Sequence, residues 1–216
     1  MISNNLKNRI YTSLILLSLV LMIFNSNFIL IYCLIILGVL SIIEFTGILK
    51  KIPLSIIYTF LANFIFIIYI SVFCFMFFFF SNLFGLKTIL FILLIGCIAS
   101  DIGGFIFGKI FNGPKLTKIS PKKTYAGSLG SIILTLLVVS SLFFYSTQSF
   151  EFNILIIAFA TSVSCQIGDL VFSFLKRKAK IKDTGNFLPG HGGVLDRIDG
   201  ILLGIPIGFL TLILLN

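Results

Sequence analysis

The chain has no tryptophan, a single histidine and very few charges, since charged residues make up only 11% of its 216 residues. Acidic residues are the scarcest, with seven Asp and Glu against 16 Lys and Arg. Apolar runs close to or above 18 residues recur along the whole chain, which excludes a soluble globule. Barrel strands would alternate polar and apolar residues instead. The composition therefore predicts an all-α, polytopic membrane bundle.

Cysteine pairs are also lacking. The four cysteines lie inside apolar runs and form no Cys-x-x-Cys pair: Cys33, Cys74, Cys97 and Cys165. This spacing argues against a disulfide framework or a thiolate metal site. The first 27 residues have a basic start and an apolar run, but no small-x-small cleavage site follows. They are interpreted as a retained first helix.

Seven membrane spans are predicted, forming one integral-membrane domain over residues 1–216. They cover residues 10–25, 28–49, 53–80, 87–108, 128–147, 152–175 and 197–215. Strict alternation of seven spans puts every Lys and Arg except Lys87 on one side of the membrane. The positive-inside rule makes that side cytoplasmic, with the N-terminus, in the cell (inner) membrane. The third span is long, and it is read as one helix, with a break near Asn63 as the alternative.

Four aspartates lie at the predicted cytoplasmic ends of spans: Asp101, Asp169, Asp196 and Asp199. A carboxylate in hydrocarbon costs about 2.5–3.5 kcal/mol, so such residues usually face a polar cavity. Mg²⁺ prefers oxygen ligands and is often held by one or two carboxylates together with substrate phosphates. The pattern predicts a divalent-metal site. The alternative is that the aspartates pair with loop cations or favour a helix N-terminus.

Two basic loops accompany the aspartates on the same predicted side. Residues 189–193, Pro-Gly-His-Gly-Gly, cannot be regular helix and allow backbone N–H groups to converge just before the seventh span. Lys176, Arg177, Lys182 and Arg197 flank this turn, and residues 120–124, Ser-Pro-Lys-Lys-Thr, form a second basic turn. Together they outline a pocket for a polyphosphate and a metal. Glu44, in the second span, is left between pairing with Lys50 and lining this cavity.

Residues 173–199 resemble the signature of the CTP:phosphatidate cytidylyltransferases, the CDP-diacylglycerol synthases. The resemblance rests on Ser173-x-Leu175-Lys176-Arg177, Lys182-Asp183-x-Gly185 and Leu188-Pro189-x-His191-Gly192-Gly193-Val194-x-Asp196-Arg197-Ile198-Asp199. Three upstream blocks, residues 101–109, 120–127 and 165–170, also resemble the family. Ala126 and the pair Val171-Phe172 stand where the family commonly has acidic residues.

The resemblance implies that the chain transfers the cytidylyl group of CTP to phosphatidate by metal-assisted in-line attack, releasing pyrophosphate. It implies Mg²⁺ as the cofactor, as one or two divalent ions or a divalent ion with a monovalent one. The implied partners are CTP, phosphatidate and membrane lipid, with no nucleic acid, and a homodimer is left open.

The resemblance also implies a role for each site residue. Asp169 and Asp199 would be metal ligands, with Asp196 and Asp101 as secondary candidates, and Asp101 is also assigned to substrate binding. The catalytic set is Asp169, Asp199, Ser173, Lys176, Arg177, Lys182, Asp183, His191 and Arg197. The substrate-binding set is Lys122, Lys123, Ser120, Gly192, Gly193 and Asp101. His191 has a hydrogen-bonding turn role as its alternative.

Two other functions stay open at this point. One is a CTP-dependent polyprenol or phytol kinase of related architecture. The other is a secondary transporter of an anionic metabolite, since intramembrane acids and glycine-interrupted helices also suit transport. The predicted position of the acids near one face, rather than at the midplane, argues against transport. A CDP-alcohol phosphotransferase is disfavoured because its Asp-x-x-Asp-Gly-x-x-Ala-Arg run is absent.

Overall fold

The computed structural model describes residues 4–83, 85–117, 119–149, 151–185, 187 and 192–215, with side chains described from residue 14 onward except residue 16. Seven helices follow one another in these described parts of the chain. They are α1 (Asn4–Asn25), α2 (Asn27–Leu49), α3 (Ile56–Ser81), α4 (Leu86–Phe111), α5 (Tyr125–Thr147), α6 (Phe152–Lys178) and α7 (Leu195–Leu215). The predicted all-α class and the number of helices are confirmed.

Six of the helices, α2 to α7, are long and apolar enough to cross a membrane. Each has between 21 and 27 residues, and about 20 apolar residues span the hydrocarbon core. The chain is therefore a multi-pass membrane protein. α1 is 22 residues long, and its role as the first span stays a prediction.

The third predicted span is one continuous helix of 26 residues, as the sequence indicated. Asn63 does not break it because both ends of its side-chain amide have partners. Its Nδ2 donates to Thr59 O at 2.9 Å, and its Oδ1 accepts from the Thr46 hydroxyl at 3.1 Å. The polar side chain is thus satisfied between α2 and α3, which also stack Phe45 on Phe66 with ring centroids 3.9 Å apart.

The chain divides into two compact units. The first comprises Met1–Phe84 and Leu175–Ile198, and the second comprises Gly85–Phe174 and Asp199–Asn216. The first unit thus contains α1 to α3, the end of α6, the loop after it and the first residues of α7. The second contains α4, α5 and most of α6 and α7. The predicted single domain over residues 1–216 stays a prediction.

Glycines bring α4 and α5 of the second unit into backbone contact. A Cβ on Gly103 would lie 2.5 Å from Gly130 O, and one on Gly127 would lie 2.7 Å from Gly104 O. Small residues at a membrane helix interface permit this approach.

Hydroxyl groups then connect α4 to α5 and α6. Ser131 of α5 donates to Ser100 O at 2.7 Å, and the hydroxyls of Ser100 and Ser162 lie 3.2 Å apart. Ser128 of α5 donates to Gln166 Oε1 of α6 at 2.5 Å. These contacts fix the register of the three helices directly beside Asp101 and Cys165.

Candidate functional site

The candidate site in the second unit is organised around one face of α6. Cys165 and Asp169 are four residues apart, so they share this face. The Cys165 Sγ lies 3.9 Å from Asp101 Oδ1 of α4. One turn further along α6, Asp169 forms an ion pair with Lys123. Carboxylates from two helices and a lysine thus lie along the same short stretch of α6.

Asp199 reaches this region because α7 packs closely against α6. A Cβ on Gly200 would lie 2.6 Å from Cys165 Sγ, and one on Gly168 would lie 2.5 Å from Asp199 O. The Asp199 residue is only 8% exposed, and its Oδ1 accepts from Gly200 N at 2.9 Å. Asp101, in contrast, is exposed, and Asp169 is half-buried. We refer to Asp101, Asp169 and Asp199 as the acidic site.

The loop before α5 directs Lys123 toward the acidic site. Lys123 N donates to Ser120 O at 3.0 Å, and Leu116 N donates to Lys123 O at 2.8 Å, so the turn is held on both sides. The next residue, Thr124, caps α5, because its hydroxyl accepts from Gly127 N at 3.1 Å. The predicted substrate-binding residue Lys122 is exposed on this turn, while Ser120 N donates to Thr117 Oγ1 at 3.2 Å.

Asp196 lies in the first unit, where three N–H groups donate to its carboxylate and the Thr184 hydroxyl lies beside it. Lys176 Nζ donates to Oδ1 at 2.7 Å, and Thr184 N donates to Oδ2 at 2.7 Å. The Thr184 hydroxyl and Gly193 N approach Oδ2 at 3.0 and 3.1 Å. Asp196 was predicted as a metal ligand. These bonds favour the other possibility weighed for it, pairing with a cation at a helix N-terminus, although the cation, Lys176, lies in the last turn of α6 rather than in the loop.

Glu44 is the functional candidate whose partners the sequence did not predict. It is 4% exposed and lies in α2. Instead of the considered partner Lys50, its carboxylate accepts from the Thr184 hydroxyl at 2.7 Å, Val194 N at 2.9 Å and Leu195 N at 2.8 Å. The available signal was its position, because an acid inside an apolar span needs polar partners.

The two signature glycines serve the packing of this loop. Gly192 has a φ of 85°, which favours glycine, and a Cβ there would lie 3.0 Å from Asp196 Oδ2. A Cβ on Gly193 would overlap the Thr184 hydroxyl and the Glu44 carboxylate. Both amides were predicted to bind phosphate. The Gly193 amide donates within the chain, to Asp196.

The remaining predicted site residues lie on or near the ends of α6 and α7. Ser173 is half-buried on α6, one turn after Asp169. The others are exposed: Arg177 in the last turn of α6, Lys182 and Asp183 in the loop, and Arg197 in the first turn of α7. His191, with Pro189 and Gly190, lies outside the described residues, so its predicted role stays a prediction.

Comparison with known proteins identifies the family of the chain. A family model described as the cytidylyltransferase family matches residues 7–215. The chain belongs to the cytidylyltransferase family. The residues of the acidic site lie within the matched range, and so do Glu44, Asp196 and their hydrogen-bond partners.

Three curated relatives of this cytidylyltransferase-family chain share one name. The chain is 43% identical over 117 residues to the phosphatidate cytidylyltransferase of Rickettsia bellii (strain RML369-C), and the match covers 50% of this chain and 51% of the relative. It is 40% identical over 121 residues to that of Helicobacter pylori (strain ATCC 700392 / 26695), covering 56% and 45%. It is 38% identical over 135 residues to that of Staphylococcus haemolyticus (strain JCSC1435), covering 62% and 52%. The chain thus spans about half the length of these relatives.

The donor set of the acidic site suits a hard divalent cation. Its ligands would be carboxylate oxygens, which Mg²⁺ prefers. Within the described ranges, no three His, Cys, Asp or Glu side chains lie close enough together to enclose a metal ion. A Mg²⁺ that keeps some waters and shares its ligands with substrate phosphates needs only one or two carboxylates. One or two of the described carboxylates therefore suit Mg²⁺ only as part of a site that other ligands complete.

Proposed function

We propose that this cytidylyltransferase-family chain transfers the cytidylyl group of CTP to phosphatidate. The observation that carries the proposal is the meeting of acidic and basic groups along α6. Asp169 pairs there with Lys123, Asp101 lies against Cys165, and the α7 backbone at Asp199 and Gly200 packs on the same helix. The relatives' shared name supplies the substrate class.

The proposed reaction balances without a protein nucleophile. A phosphatidate phosphate oxygen attacks the α-phosphorus of CTP, and the bond from that phosphorus to the bridging oxygen of the β-phosphate breaks. The products are CDP-diacylglycerol and pyrophosphate. A phosphate monoester has a second pKa near ~6, so the attacking oxygen is already ionised at neutral pH. The protein must align the two substrates and neutralise charge on the departing pyrophosphate.

The residues of the second unit divide these tasks. Asp169 and Asp199 would be ligands of Mg²⁺, with Asp101 as a further candidate ligand. The number of Mg²⁺ ions is to be determined by experiment. Bound Mg²⁺ would neutralise phosphate oxygens and help align the reacting groups. Lys123 would contact the phosphates, because a cation at this position can exchange its carboxylate partner for a phosphate oxygen. Ser173, on the same face of α6 as Asp169, would orient a phosphate or a bound water.

The exposed cations of the first unit would bind substrate phosphates. Arg177, Lys182 and Arg197 are exposed in the last turn of α6, the following loop and the first turn of α7. Lys and Arg bind phosphate through charge-assisted hydrogen bonds. Glu44 and Asp196 accept hydrogen bonds from described residues near these cations, namely Thr184, Gly193, Val194 and Leu195. Lys176 would act mainly by holding Asp196.

The proposal includes an orientation in the cell (inner) membrane. With all seven helices crossing, the loops after α2, α4 and α6 share one side, and all Lys and Arg outside the N-terminal segment except Lys87 lie in or beside them. The positive-inside rule makes this side cytoplasmic, with the N-terminus. CTP is a cytoplasmic nucleotide, so the active site would face its supply.

The decisive experiment follows the label of CTP in the purified protein. The protein in detergent is incubated with phosphatidate, Mg²⁺ and CTP labelled in either its α- or its γ-phosphate. The proposed reaction places the α-label in CDP-diacylglycerol and the γ-label in pyrophosphate. Omitting Mg²⁺ should abolish both.

The same experiment separates the alternatives. A CTP-dependent polyprenol or phytol kinase would move the γ-label to its alcohol when that alcohol replaces phosphatidate. A transporter would label no lipid with either nucleotide. Either result, with no α-label in phosphatidate-derived product, would refute the proposed transfer.

A further inference from the structure

Glu44 accepts three hydrogen bonds from the loop between α6 and α7. Its Oε1 accepts from Val194 N, and its Oε2 accepts from Leu195 N and the Thr184 hydroxyl, all at 2.7–2.9 Å. α7 begins at Leu195, so one of these amides is at the very start of the helix, where N–H groups lack intrahelical partners. A buried side chain of α2 therefore binds Thr184, inside the loop, and the two residues at the start of α7.

Thr184 connects Glu44 to Asp196. Its hydroxyl lies 2.7 Å from Glu44 Oε2 and 3.0 Å from Asp196 Oδ2. A hydroxyl has one proton, so it donates to one carboxylate at a time, and the shorter distance assigns that proton to Glu44. Asp196 keeps Lys176 Nζ, Thr184 N and Gly193 N as donors. Two carboxylates thus fix the same threonine.

The glycines of the loop are explained by the same carboxylate. A Cβ on Gly185 would lie 2.7 Å from Glu44 Oε1, and a Cβ on Gly193 would overlap Glu44 Oε2. Contacts under about 3 Å force a shift of the side chain or of the loop. Glycine at these positions therefore makes room for Glu44. The sequence had assigned Gly193 to substrate binding.

We propose that Glu44 is a positioning residue for substrate binding, because it holds Thr184 in the loop after α6 and Val194 and Leu195 at the start of α7. It acts through Thr184 and through the amides of Val194 and Leu195. The segment it fixes lies beside Lys182 and leads into Arg197, the cations assigned to phosphate. The inference rests on the proposed function for the meaning of that binding, and the loop contact itself is testable without it.

The test substitutes Glu44→Gln, which keeps the size of the side chain. A glutamine has one acceptor oxygen and one donor NH₂ group. Val194 N donates to one Glu44 oxygen and Leu195 N donates to the other. In either orientation of the glutamine side chain, one of these backbone N–H groups would therefore face the NH₂ group and lose its acceptor. We expect the amides of residues 184–196 to exchange hydrogen about tenfold faster, on the scale of an unsatisfied buried donor. We also expect the KM for CTP to rise more than kcat falls.

Thr46→Val is the matched control, because Thr46 lies on the same helix but bonds to Asn63 of α3. It should leave exchange in residues 184–196 and the KM for CTP within about twofold of wild type. The double variant Glu44→Gln/Thr184→Val should be less impaired than the two single effects combined, since both remove the same contact.

Three outcomes decide the inference. Faster exchange confined to residues 184–196, with the KM change, supports it. Unchanged exchange there, or an equal increase in α4 and α5, refutes it, because a general loss of stability would reach those helices. If wild-type protein forms no CDP-diacylglycerol, the proposed function fails, and the exchange measurement alone then decides whether Glu44 fixes the loop.

Discussion

Lys123, in the loop before α5, forms an ion pair with Asp169 of α6. Both side chains retain partial exposure, 26% and 29%, so the pair is accessible to solvent and to a ligand. Exposed pairs of this kind contribute little to folding stability, commonly ~0–1 kcal/mol. The pairing therefore has more bearing on the chemistry at Asp169 than on the stability of the fold.

Lys123→Met is expected to reduce CDP-diacylglycerol formation about tenfold or more, the scale of a lost charge-assisted contact with phosphate. Lys115→Met is the control, since Lys115 is an exposed lysine of the same loop. Steady-state rates at varied CTP concentration measure the effect. Equal activity of both variants would contradict a role for Lys123 in phosphate binding.

Asp169→Asn and Asp199→Asn are each expected to reduce activity at least about 100-fold, as for loss of an electrostatic contact made in the transition state. Glu151→Gln is the matched control, because it also neutralises a carboxylate and lies just before the opposite end of α6. Rates are measured over a range of Mg²⁺ concentrations. Near-normal activity of both aspartate variants would remove them as metal ligands.

Gly193→Ala is expected to lower the thermal stability and the activity, because the added methyl group overlaps Glu44 and Thr184. Overpacking of this kind costs about 1–3 kcal/mol. Gly47→Ala is the contrasting variant. Its Cβ would meet nothing within 4 Å, and alanine is favoured over glycine in a helix by up to ~1 kcal/mol.

Thermal unfolding in detergent compares the two glycine variants with the wild type. A Gly193→Ala protein that unfolds at the wild-type temperature would show that the loop tolerates the methyl group. The Glu44 contact would then be less tight than the structure indicates.

Single cysteines at Asn27 and Lys180 are expected to react with a membrane-impermeant maleimide from opposite sides. Asn27 begins α2 and Lys180 follows α6, and five helices, α2 to α6, separate them. The parent chain measures the background from the four native cysteines, all of which lie within helices. Labelling of both positions from one side would be incompatible with seven crossings.

The helices were predictable from the sequence, and their ends were less so. The prediction began the fifth span at residue 128, whereas α5 begins at Tyr125, because Thr124 provides a side-chain cap. The sixth span was predicted to end at residue 175, and α6 extends to Lys178. Cations in a last turn interact favourably with the helix dipole, which allows the helix to continue past its apolar stretch.

Part of the candidate site was also predictable. The sequence singled out Asp169, Asp199 and Lys123, because a charge inside or beside an apolar span is energetically costly and usually marks a functional site. Their partners did not follow from the same reasoning. Asp196 was grouped with the metal ligands, yet its carboxylate meets Lys176, Thr184 and Gly193. Glu44 was recognisable as an acidic residue inside an apolar span, but the neighbouring sequence did not indicate which groups it would bind.

The sequence by itself determined the helical class, the positions of the helices and the family. These depend on the length of apolar runs against the thickness of a bilayer and on motifs, which are local properties. Only the tertiary structure decided which polar groups meet. Glu44 and Thr184 are 140 residues apart in the chain, and their contact depends on how the helices and the loop pack. Buried polar groups must find partners, and which ones they find is a property of the packed chain.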